Sequence, residues 1–370
     1  MKKTLVALAA LATVGAAFAQ SSVTLYGKID WEVVSKSSHA AGVPSLNPGL
    51  QVNSAGLSGS RWGLMGTEDL GGGMSAIFNL QGGFSVDTGQ IGQCGGANVI
   101  NPNACGNNAA GTGVNAPRIF GRQAYAGLKG GFGQVTVGRQ YPAYDAAFAG
   151  VDAQGYTTNS AMGSVWNGYA VPGQAAPAHA DAGAGGPGRV DNQITYYTPA
   201  MGGFNAQVSY APGENKTLVS RASQYWGIGL GYGNGPINVQ YAYESLRGVT
   251  GVPTSTGYIL GGSYNFGPAS LYGAYGQGTA SGVSRDRKYS LGVTAPVGPV
   301  VLAFGYADNR NTVVGAAASS KTSGFGGTAV YSLSKRTNVY AEFMSNTGRN
   351  AGAVASGKAS QFGVGMRHSF

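Results

Sequence analysis

Histidine is the side chain most often used for acid–base or metal chemistry near neutral pH, and this chain has three, at His39, His179 and His368. They are far apart in sequence, and no pair has the H-x-x-x-H spacing of a metal site. Hydrolysis would need a nucleophile within reach of a base, and no G-x-S-x-G motif occurs. We expect His39 and His179 in connections and His368 facing outward beside the carboxyl terminus. The sequence therefore predicts no catalytic residue, no metal site and no cofactor.

The two cysteines, Cys94 and Cys105, are the second chemically distinctive pair. The segment between them offers no His, Asp or Glu that could complete a metal site. In an exported chain they would meet an oxidising compartment. We predict a disulfide that closes a surface loop, with two free thiols as the alternative.

The positive charge of the chain raises the question of a nucleic-acid partner. Lys and Arg total 23 against 14 Asp and Glu, which gives a net charge of +9. These cations are scattered over alternating segments and do not form a patch, so we expect no nucleic-acid partner. The glycine-rich runs LGGGM and GYGNG lack the strand-to-helix context of phosphate-binding loops and are predicted to be turns.

The amino terminus has the pattern of a secretory signal peptide. Lys2 and Lys3 precede an apolar run over 5–14, and Ala17-Phe18-Ala19 is an A-x-A cleavage signal. The apolar run is too short for a membrane-spanning helix. We predict a signal peptide over 1–19 and a mature domain over 20–370, whose charge falls from +9 to +7 because two lysines and no acids are removed.

The mature chain is dominated by short segments in which apolar and polar residues alternate. In VTLYGKIDWEVV, residues 23–34, one face is apolar and the other carries Lys28, Asp30 and Glu32. Strict alternation of this kind indicates a strand with one apolar and one wet face. Tyrosines cluster near the ends of such segments, as in interfacial girdles. The tyrosines concerned are Tyr196, Tyr197, Tyr232, Tyr241, Tyr243, Tyr331 and Tyr340.

We count sixteen such segments, joined by short turns that alternate with longer connections. The longer connections are predicted at about 37–55, 88–117, 140–188, 211–222, 247–255, 280–286, 310–320 and 348–357. A soluble sandwich of this size would carry more charge on its surface than the 10% found here. The even strand number and the alternation of turns and loops predict an all-β, 16-stranded antiparallel transmembrane β-barrel.

The stretch 138–189 does not fit the strand pattern. About fifty residues without alternation inside a compact domain are usually functional or disordered. It would be the third of the longer connections, and its first acids are Asp145 and Asp152. We expect its first part to fold inside the barrel and its Gly/Ala/Pro-rich second part to be exposed.

Several motifs together resemble the general porins of Gram-negative bacteria, especially the betaproteobacterial branch. They are SSVTLYGKID, SRWGLMGTEDLGGG, FGRQAYAGLKGGFGQVTVGRQY, GRVDNQITYYTP and the terminal Phe370. The resemblance covers essentially the whole mature chain. It implies a homotrimer in the outer membrane, in contact with lipid and lipopolysaccharide. It also implies that the third long loop narrows the lumen, with basic wall residues facing acidic loop residues.

Matched to the family motifs, the basic wall positions are Lys28, Arg61, Arg139 and Arg189. Alternation places Lys28, Arg61 and Arg189 opposite the apolar face of their strands, but it points Arg139 toward lipid. Arg122 and Arg118 are further candidates for lumen or rim charges. Asp145 and Asp152 resemble the loop carboxylates of the family, although the acidic motif is thin here, with Asp181 as the one other acid in the loop.

These expectations together predict a passive pore for ions and small hydrophilic solutes. Opposed basic and acidic residues at a constriction would set its ion selectivity. Because the cationic candidates outnumber the loop acids, we expect a mild preference for anions. The alternative is a substrate-specific channel, which would show a run of aromatic residues along the lumen.

Overall fold

The computed structural model of the protein describes residues 22–40, 43–91, 118–157, 159–166, 188–213, 216–219, 224–248, 254–315, 319–350 and 356–370. The predicted signal peptide, Cys94, Cys105, His179 and the second part of the long connection lie outside these ranges. No helix in the described ranges is long and apolar enough to cross a membrane.

The described chain forms strands with one helical interruption. The first strands are β1 (Ser22–Ala40), β2 (Val43–Ser54), β3 (Arg61–Gly71), β4 (Met74–Gly83), β5 (Gln123–Gly130) and β6 (Gly133–Gln140). Two helices follow, α1 (Ala143–Val151) and α2 (Ala161–Trp166). The remaining strands are β7 (Val190–Tyr197), β8 (Phe204–Pro212), β9 (Gln224–Asn234), β10 (Ile237–Arg247), β11 (Ser255–Asn265), β12 (Ser270–Ala280), β13 (Ser284–Val297), β14 (Val300–Val313), β15 (Ser320–Ser332), β16 (Thr337–Asn350) and β17 (Gly357–Ser369).

The sheet closes on itself. From β3 to β17 each strand pairs antiparallel with the next, and β17 pairs with β1, which in turn pairs with β3. β2 pairs with the other half of β1, so β2 and β3 are two parts of one interrupted wall strand. The wall therefore has sixteen strands, and the predicted antiparallel barrel is confirmed. Closure matters because lipid cannot satisfy the hydrogen-bonding groups of a sheet edge.

Several connections are shorter than the sequence pattern suggests. Only residues 41–42 separate β1 from β2, and only 281–283 separate β12 from β13. His39, expected in a connection, lies in β1, where its Nδ1 is 2.8 Å from the Ser45 hydroxyl. At the end of β1 (36–39) and the start of β13 (284–288) the strands continue with polar residues on both faces, so the apolar alternation that marks a strand is missing there.

The outward face of the wall is apolar, and part of the opposite face is covered by the two helices. Leu260, Leu291 and Phe304 are 50%, 66% and 45% exposed. Their inward neighbours in the same strands include Ile259 and Ala307, which are fully buried. This arrangement suits a wall in contact with lipid outside. Tyr340 departs from the predicted girdle because it points inward, is 5% exposed and donates to Asp30 Oδ1 at 2.6 Å.

The covered face carries α1 and α2, which belong to the connection between β6 and β7. Their apolar side chains form one buried cluster with Ala242, Ile259 and Ala307 of the wall. The ring of Phe148 lies edge-on to that of Trp166, with centroids 5.7 Å apart. Trp166 is the last residue of α2, and its indole Nε1 donates to the Tyr289 carbonyl at 3.1 Å. The helices are therefore fixed to the wall by packing as well as by their chain ends.

Glycines in the wall make room for this packing. A Cβ added to Gly276 would lie 2.8 Å from Cζ3 of Trp166, and one on Gly292 would collide with the Cβ of Ala153. A Cβ on Gly305 would lie 2.9 Å from Oε1 of Gln154. Glycine inside a strand often marks a close approach by another part of the structure, and here side chains of the helical connection make that approach.

Candidate functional site

Two arginines meet at one tyrosine where the long connection begins. Arg122 donates from Nη2 to the Tyr141 hydroxyl at 2.8 Å, and Arg189 donates to the same oxygen from its Nη2. The guanidinium of Arg189 also lies over the Tyr141 ring, with Cζ 4.4 Å from the centroid. Cations over an aromatic face are attracted to its negative quadrupole. Tyr141 thus holds two like charges close together.

Neighbouring strands fix these side chains. Arg122 directly precedes β5, and its Nε donates at 3.0 Å to Gln81 Oε1 on β4. Arg189 directly precedes β7, and Tyr141 directly follows β6. Because β5, β6 and β7 are consecutive neighbours in the sheet, the three residues meet at the same rim.

Further cations approach the same site from β1, β3 and β17. Lys28 is paired with Arg61 in the ladder, and residues paired across a ladder share a face of the sheet. The charge of Arg61 acts on Lys28, and those of Arg189 and Arg367 act on Arg61. We define the cation cluster as Lys28, Arg61, Arg122, Arg189 and Arg367.

Sequence reasoning missed Arg367 and Tyr141. The signal for Arg367 was present, because its neighbour His368 was expected to face outward. Strict alternation then puts Arg367 on the inner face, where its Nη2 donates to Asn338 Oδ1 at 3.1 Å. Tyr141 carried no comparable signal, since it lies just after a strand and its role depends on two distant arginines.

The charges of the site alter the protonation of its members outside the strands. Burial raises the pKa of the Tyr141 hydroxyl, but the charges of Arg122 and Arg189 lower it by more, so the net shift is downward. Burial lowers the pKa of Arg189, while Tyr141 and Asp145 raise it by more. Arg189 therefore stays charged, and the Tyr141 hydroxyl ionises more readily than that of an ordinary tyrosine.

Asp145, on α1, is the loop acid that reaches this site. It accepts a hydrogen bond from the Tyr156 hydroxyl at 2.6 Å and is 5% exposed. Its charge acts on both Arg189 and Tyr141. The structure thus brings the predicted loop carboxylate Asp145 within electrostatic reach of the predicted wall cation Arg189.

Asp152, the second predicted loop acid, has a different place. Its Oδ1 accepts from the Gln154 amide and its Oδ2 from the Tyr156 amide, both at 3.1 Å, and Ser160 also bonds to it. Burial raises its pKa, although these bonds act in the other direction. The hydrogen bonds found for Asp152 in the described chain all go to its own connection, so it shapes the turn between α1 and α2.

Arg139 is held in an ion pair, and the charge of Arg189 in the cation cluster also acts on it. Its Nη1 is 2.7 Å from Asp191 Oδ1 and its Nε donates to the Gly121 carbonyl at 2.7 Å. Arg118, the other rim candidate, binds the same Asp191 carboxylate at 2.8 Å. A register shift in the ladder between β6 and β7 falls between Gly138 and Gln140, so Arg139 lies at an irregular position of its strand.

A family model described as Gram-negative porin matches residues 4–351 of the chain. The chain belongs to this family. Among curated proteins, this porin is 36% identical to outer membrane porin protein 32 of Delftia acidovorans over the full length of both chains. The betaproteobacterial branch predicted from the motifs is therefore confirmed, and so is the outer membrane as the location.

Two solved structures illustrate the fold of this porin. An anion-selective porin from Comamonas acidovorans superposes with a TM-score of 0.72 at 30% identity, covering 95% of this chain and 100% of that one. A trimer form of OmpT, an outer membrane protein of Vibrio cholerae, superposes with a TM-score of 0.63, covering 95% and 99%. It is 16% identical and shows the likeness of fold alone. The relatives are porins, which are channels and not enzymes.

Elsewhere in the wall of this porin, the connection is tied to a pair of buried carboxylates. Glu32 on β1 and Glu342 on β16 are each 2% exposed, and Gln361 Nε2 donates to Oε1 of both, at 3.4 Å and 3.2 Å. Asn159, between α1 and α2, donates to Glu342 Oε1. In the described residues no group of three or more His, Cys, Asp or Glu side chains could hold a metal ion.

Proposed function

We propose that this outer-membrane porin is a general-diffusion pore with a mild anion preference, and that α1 and α2 lie in its lumen and narrow it. Ions and small hydrophilic solutes would cross beside these helices, past the cation cluster. Passive diffusion needs only a wet opening and the field of the groups around it. The chemistry of the site fits this role, since it offers fixed charges and no nucleophile beside a base.

The position of α1 and α2 supports a constriction. They contact Ile259 and Ala307, whose strand neighbours Leu260 and Phe304 are exposed on the opposite face. In a closed barrel with an apolar outer surface, the face opposite the exposed apolar side chains is the inner one. Helices packed there occupy part of the cross-section.

The observation that carries the anion preference is the shared contact of Arg122 and Arg189 with Tyr141. Like charges held this close by hydrogen bonds attract a mobile anion more strongly than scattered charges do. Within the described residues, Asp145 is the loop acid whose charge acts on Arg189, and five cations face it. The anion-selective porin from Comamonas acidovorans, at 30% identity, is consistent with this sign.

The remaining expectations are part of the same proposal. We propose that the chain is exported by its signal peptide over 1–19, forms a homotrimer, and contacts outer-membrane lipid and lipopolysaccharide through its apolar outer face. The trimer form found among proteins of this fold supports the assembly. The Cys94–Cys105 disulfide stays a prediction.

The test is charge removal with a matched control. Arg61→Gln, Arg122→Gln and Arg189→Gln together remove three charges from the cluster. Arg285→Gln, Arg287→Gln and Arg310→Gln remove the same charge from exposed positions on β13 and β14. In planar bilayers under a KCl gradient, we expect the cluster variant to lose its anion preference and the control to keep most of it.

Equal shifts of the reversal potential in both variants would contradict the proposed role of the cluster. Current that saturates with the concentration of one solute would instead favour the substrate-specific alternative. A pore with negligible conductance would contradict the open lumen altogether.

A further inference from the structure

The wall strand formed by β2 and β3 is interrupted by six residues, 55–60, which we call the inserted segment. The ladder with β1 stops at Trp31 opposite Ser54 and resumes at Lys28 opposite Arg61. Between these pairs β1 uses two residues, 29 and 30, while its partner uses six, 55–60, so the partner carries four extra residues. Because four is an even number, the alternation of faces is the same on both sides of the interruption.

One carboxylate binds most of the inserted segment. Asp30 Oδ1 accepts from the Gly56 amide at 3.2 Å, and Oδ2 accepts from the Ser58 amide at 2.8 Å and the Ser58 hydroxyl at 3.3 Å. Tyr340 donates to Oδ1 at 2.6 Å from the neighbouring side of the wall. Asp30 is fully buried, so these bonds take the place of water around its charge.

The backbone of Asp30 completes the attachment. Its carbonyl accepts from the Ala55 amide at 2.9 Å and from the Ser60 hydroxyl at 3.0 Å, and its amide lies 2.9 Å from the same hydroxyl. Both ends of the inserted segment are therefore bound to one residue of β1. The segment has no other continuous ladder in the described chain, so its course depends on these contacts.

The inserted segment in turn adjoins two members of the cation cluster. It ends directly before Arg61, the first residue of β3. A Cβ added to Gly59 would lie 2.8 Å from Nη1 of Arg122, so the guanidinium of Arg122 rests against the backbone of the segment. A shift of the inserted segment would therefore displace Arg61, which follows it directly, and would remove the backbone against which Arg122 rests.

We propose that Asp30 is a positioning residue for ion selectivity, which holds the inserted segment and thereby places Arg61 and Arg122 at the opening. This rests on the proposed anion preference of the cation cluster. The carboxylate also attracts Lys28 and Arg367 electrostatically. Its charge alone would therefore weaken the anion preference, whereas its positioning role strengthens it.

In Asp30→Asn, the loss of the charge and the loss of the positioning role would shift the reversal potential in opposite directions. The sign of the measured shift therefore distinguishes the two. The asparagine amide would direct N–H groups toward the Ser58 amide and hydroxyl, which are donors to Oδ2. We expect the reversal potential in a KCl gradient to shift toward the cation side, by about half of the shift caused by Arg61→Gln with Arg122→Gln. An unchanged potential, or a shift toward the anion side, would overturn the proposal.

The matched control is Asp286→Asn on β13, which removes another fully buried carboxylate that accepts a backbone amide, from Gly278 at 2.7 Å. It lies far along the sheet from the inserted segment and should leave the reversal potential close to that of the unmodified protein. If Asp30→Asn does not assemble into a barrel, the double variant Ser58→Ala with Tyr340→Phe is measured instead. It removes two hydroxyl donors to Asp30 and changes no charge. It should shift the potential in the same cation direction, and no shift would overturn the proposal.

A combined variant separates positioning from a general loss of structure. In the background of Arg61→Gln with Arg122→Gln, Asp30→Asn should cause no further shift toward cations, because the residues through which it acts are gone. A further shift of equal size would overturn the proposal. If Arg61→Gln with Arg122→Gln itself has no effect, the proposed function fails, and that outcome is distinct from a failure of the role of Asp30.

Discussion

The two sides of the barrel differ in how they meet the helical connection between β6 and β7. From β9 to β16 the wall contacts α1 and α2 through small and apolar residues, with glycines at Gly276, Gly292 and Gly305 that leave room for the connection. From β17 through β1 to β7 the wall presents the cation cluster and the side chains that hold it. One side fixes the helices and the other supplies charge.

On the proposed function, this difference would let a passive pore keep both a fixed opening and a strong field. A close approach of the connection to the wall needs small side chains on the wall. A set of like charges needs long side chains with hydrogen-bonding partners. Segregating the two requirements on opposite sides allows each to be met without compromise. Glu342, on β16, is buried and is bonded to the connection through Asn159.

The largest effect should come from filling a glycine on the packed side. In Gly292→Leu the side chain would displace Ala153, since even a Cβ collides with it. Overpacking of this kind typically costs about 1–3 kcal/mol. We expect the connection to loosen, with higher single-channel conductance and faster protease cleavage within it.

The control for that variant is Gly233→Leu. An added Cβ at Gly233 has no heavy atom within 4 Å, so the extra side chain meets open space. Its conductance should stay close to that of the unmodified protein. If Gly292→Leu also conducts normally and resists protease, the packed side does not hold the connection as described.

A smaller effect is expected from the loop carboxylate that faces the charged side. Asp145→Asn removes the acid that acts on Arg189, so the anion preference should rise. One unit charge at 4 Å in a water-like dielectric is worth about 1 kcal/mol, which corresponds to a few-fold change in the permeability ratio. Reversal potentials at low salt measure it, because screening weakens the effect at high salt.

Asp69→Asn provides the charge-matched comparison for Asp145→Asn. Asp69 is exposed at the end of β3, where its Oδ1 accepts from the Gly71 amide at 2.9 Å. Its removal should leave selectivity nearly unchanged. A shift toward cations in Asp145→Asn would contradict the placement of Asp145 beside the cluster.

Sequence alone was enough for the wall but only for part of the site. Alternation, as in residues 23–34, has a local period of two residues and can be recognised without knowing the tertiary structure. It also predicted that Lys28 and Arg61 share a face of the wall, which agrees with their pairing in the ladder. It could not give Tyr141 or the internal bonding of Asp152, because both depend on how an irregular segment folds.

Tyr340 and Asp30 illustrate the same limit within regular strands. The tyrosine was assigned to the interfacial girdle because it lies near a strand end, and the acid was assigned simply to the wet face. Their contact joins residues 310 positions apart and depends on the inserted segment. The insertion could not be counted from the sequence, since residues 43–54 were read as part of a loop.

The smallest effect concerns pH. The charges of Arg122 and Arg189 hold the pKa of Tyr141 below the usual tyrosine value of about 10. As the pH rises through this lowered pKa, the phenolate forms and offsets part of the positive field. We therefore expect the anion preference to weaken as the pH is raised from about 7 toward about 10.

Tyr141→Phe should remove that pH dependence, because phenylalanine cannot ionise. Its anion preference at neutral pH should fall only in part, since all five cations remain while the hydrogen bonds that hold Arg122 and Arg189 together are lost. Reversal potentials of the two proteins over the same pH series provide the comparison. An equal decline in both would assign the pH dependence to other groups.

The central claim is that the charged side of the wall faces a wet opening and gives it a positive field. The reversal potential of the unmodified protein, measured in planar bilayers under a KCl gradient at low and at high mean salt, tests this most directly. A positive field in a wet opening predicts a value on the anion side at low salt that moves toward zero at high salt as the field is screened. A value on the cation side at low salt would contradict the claim.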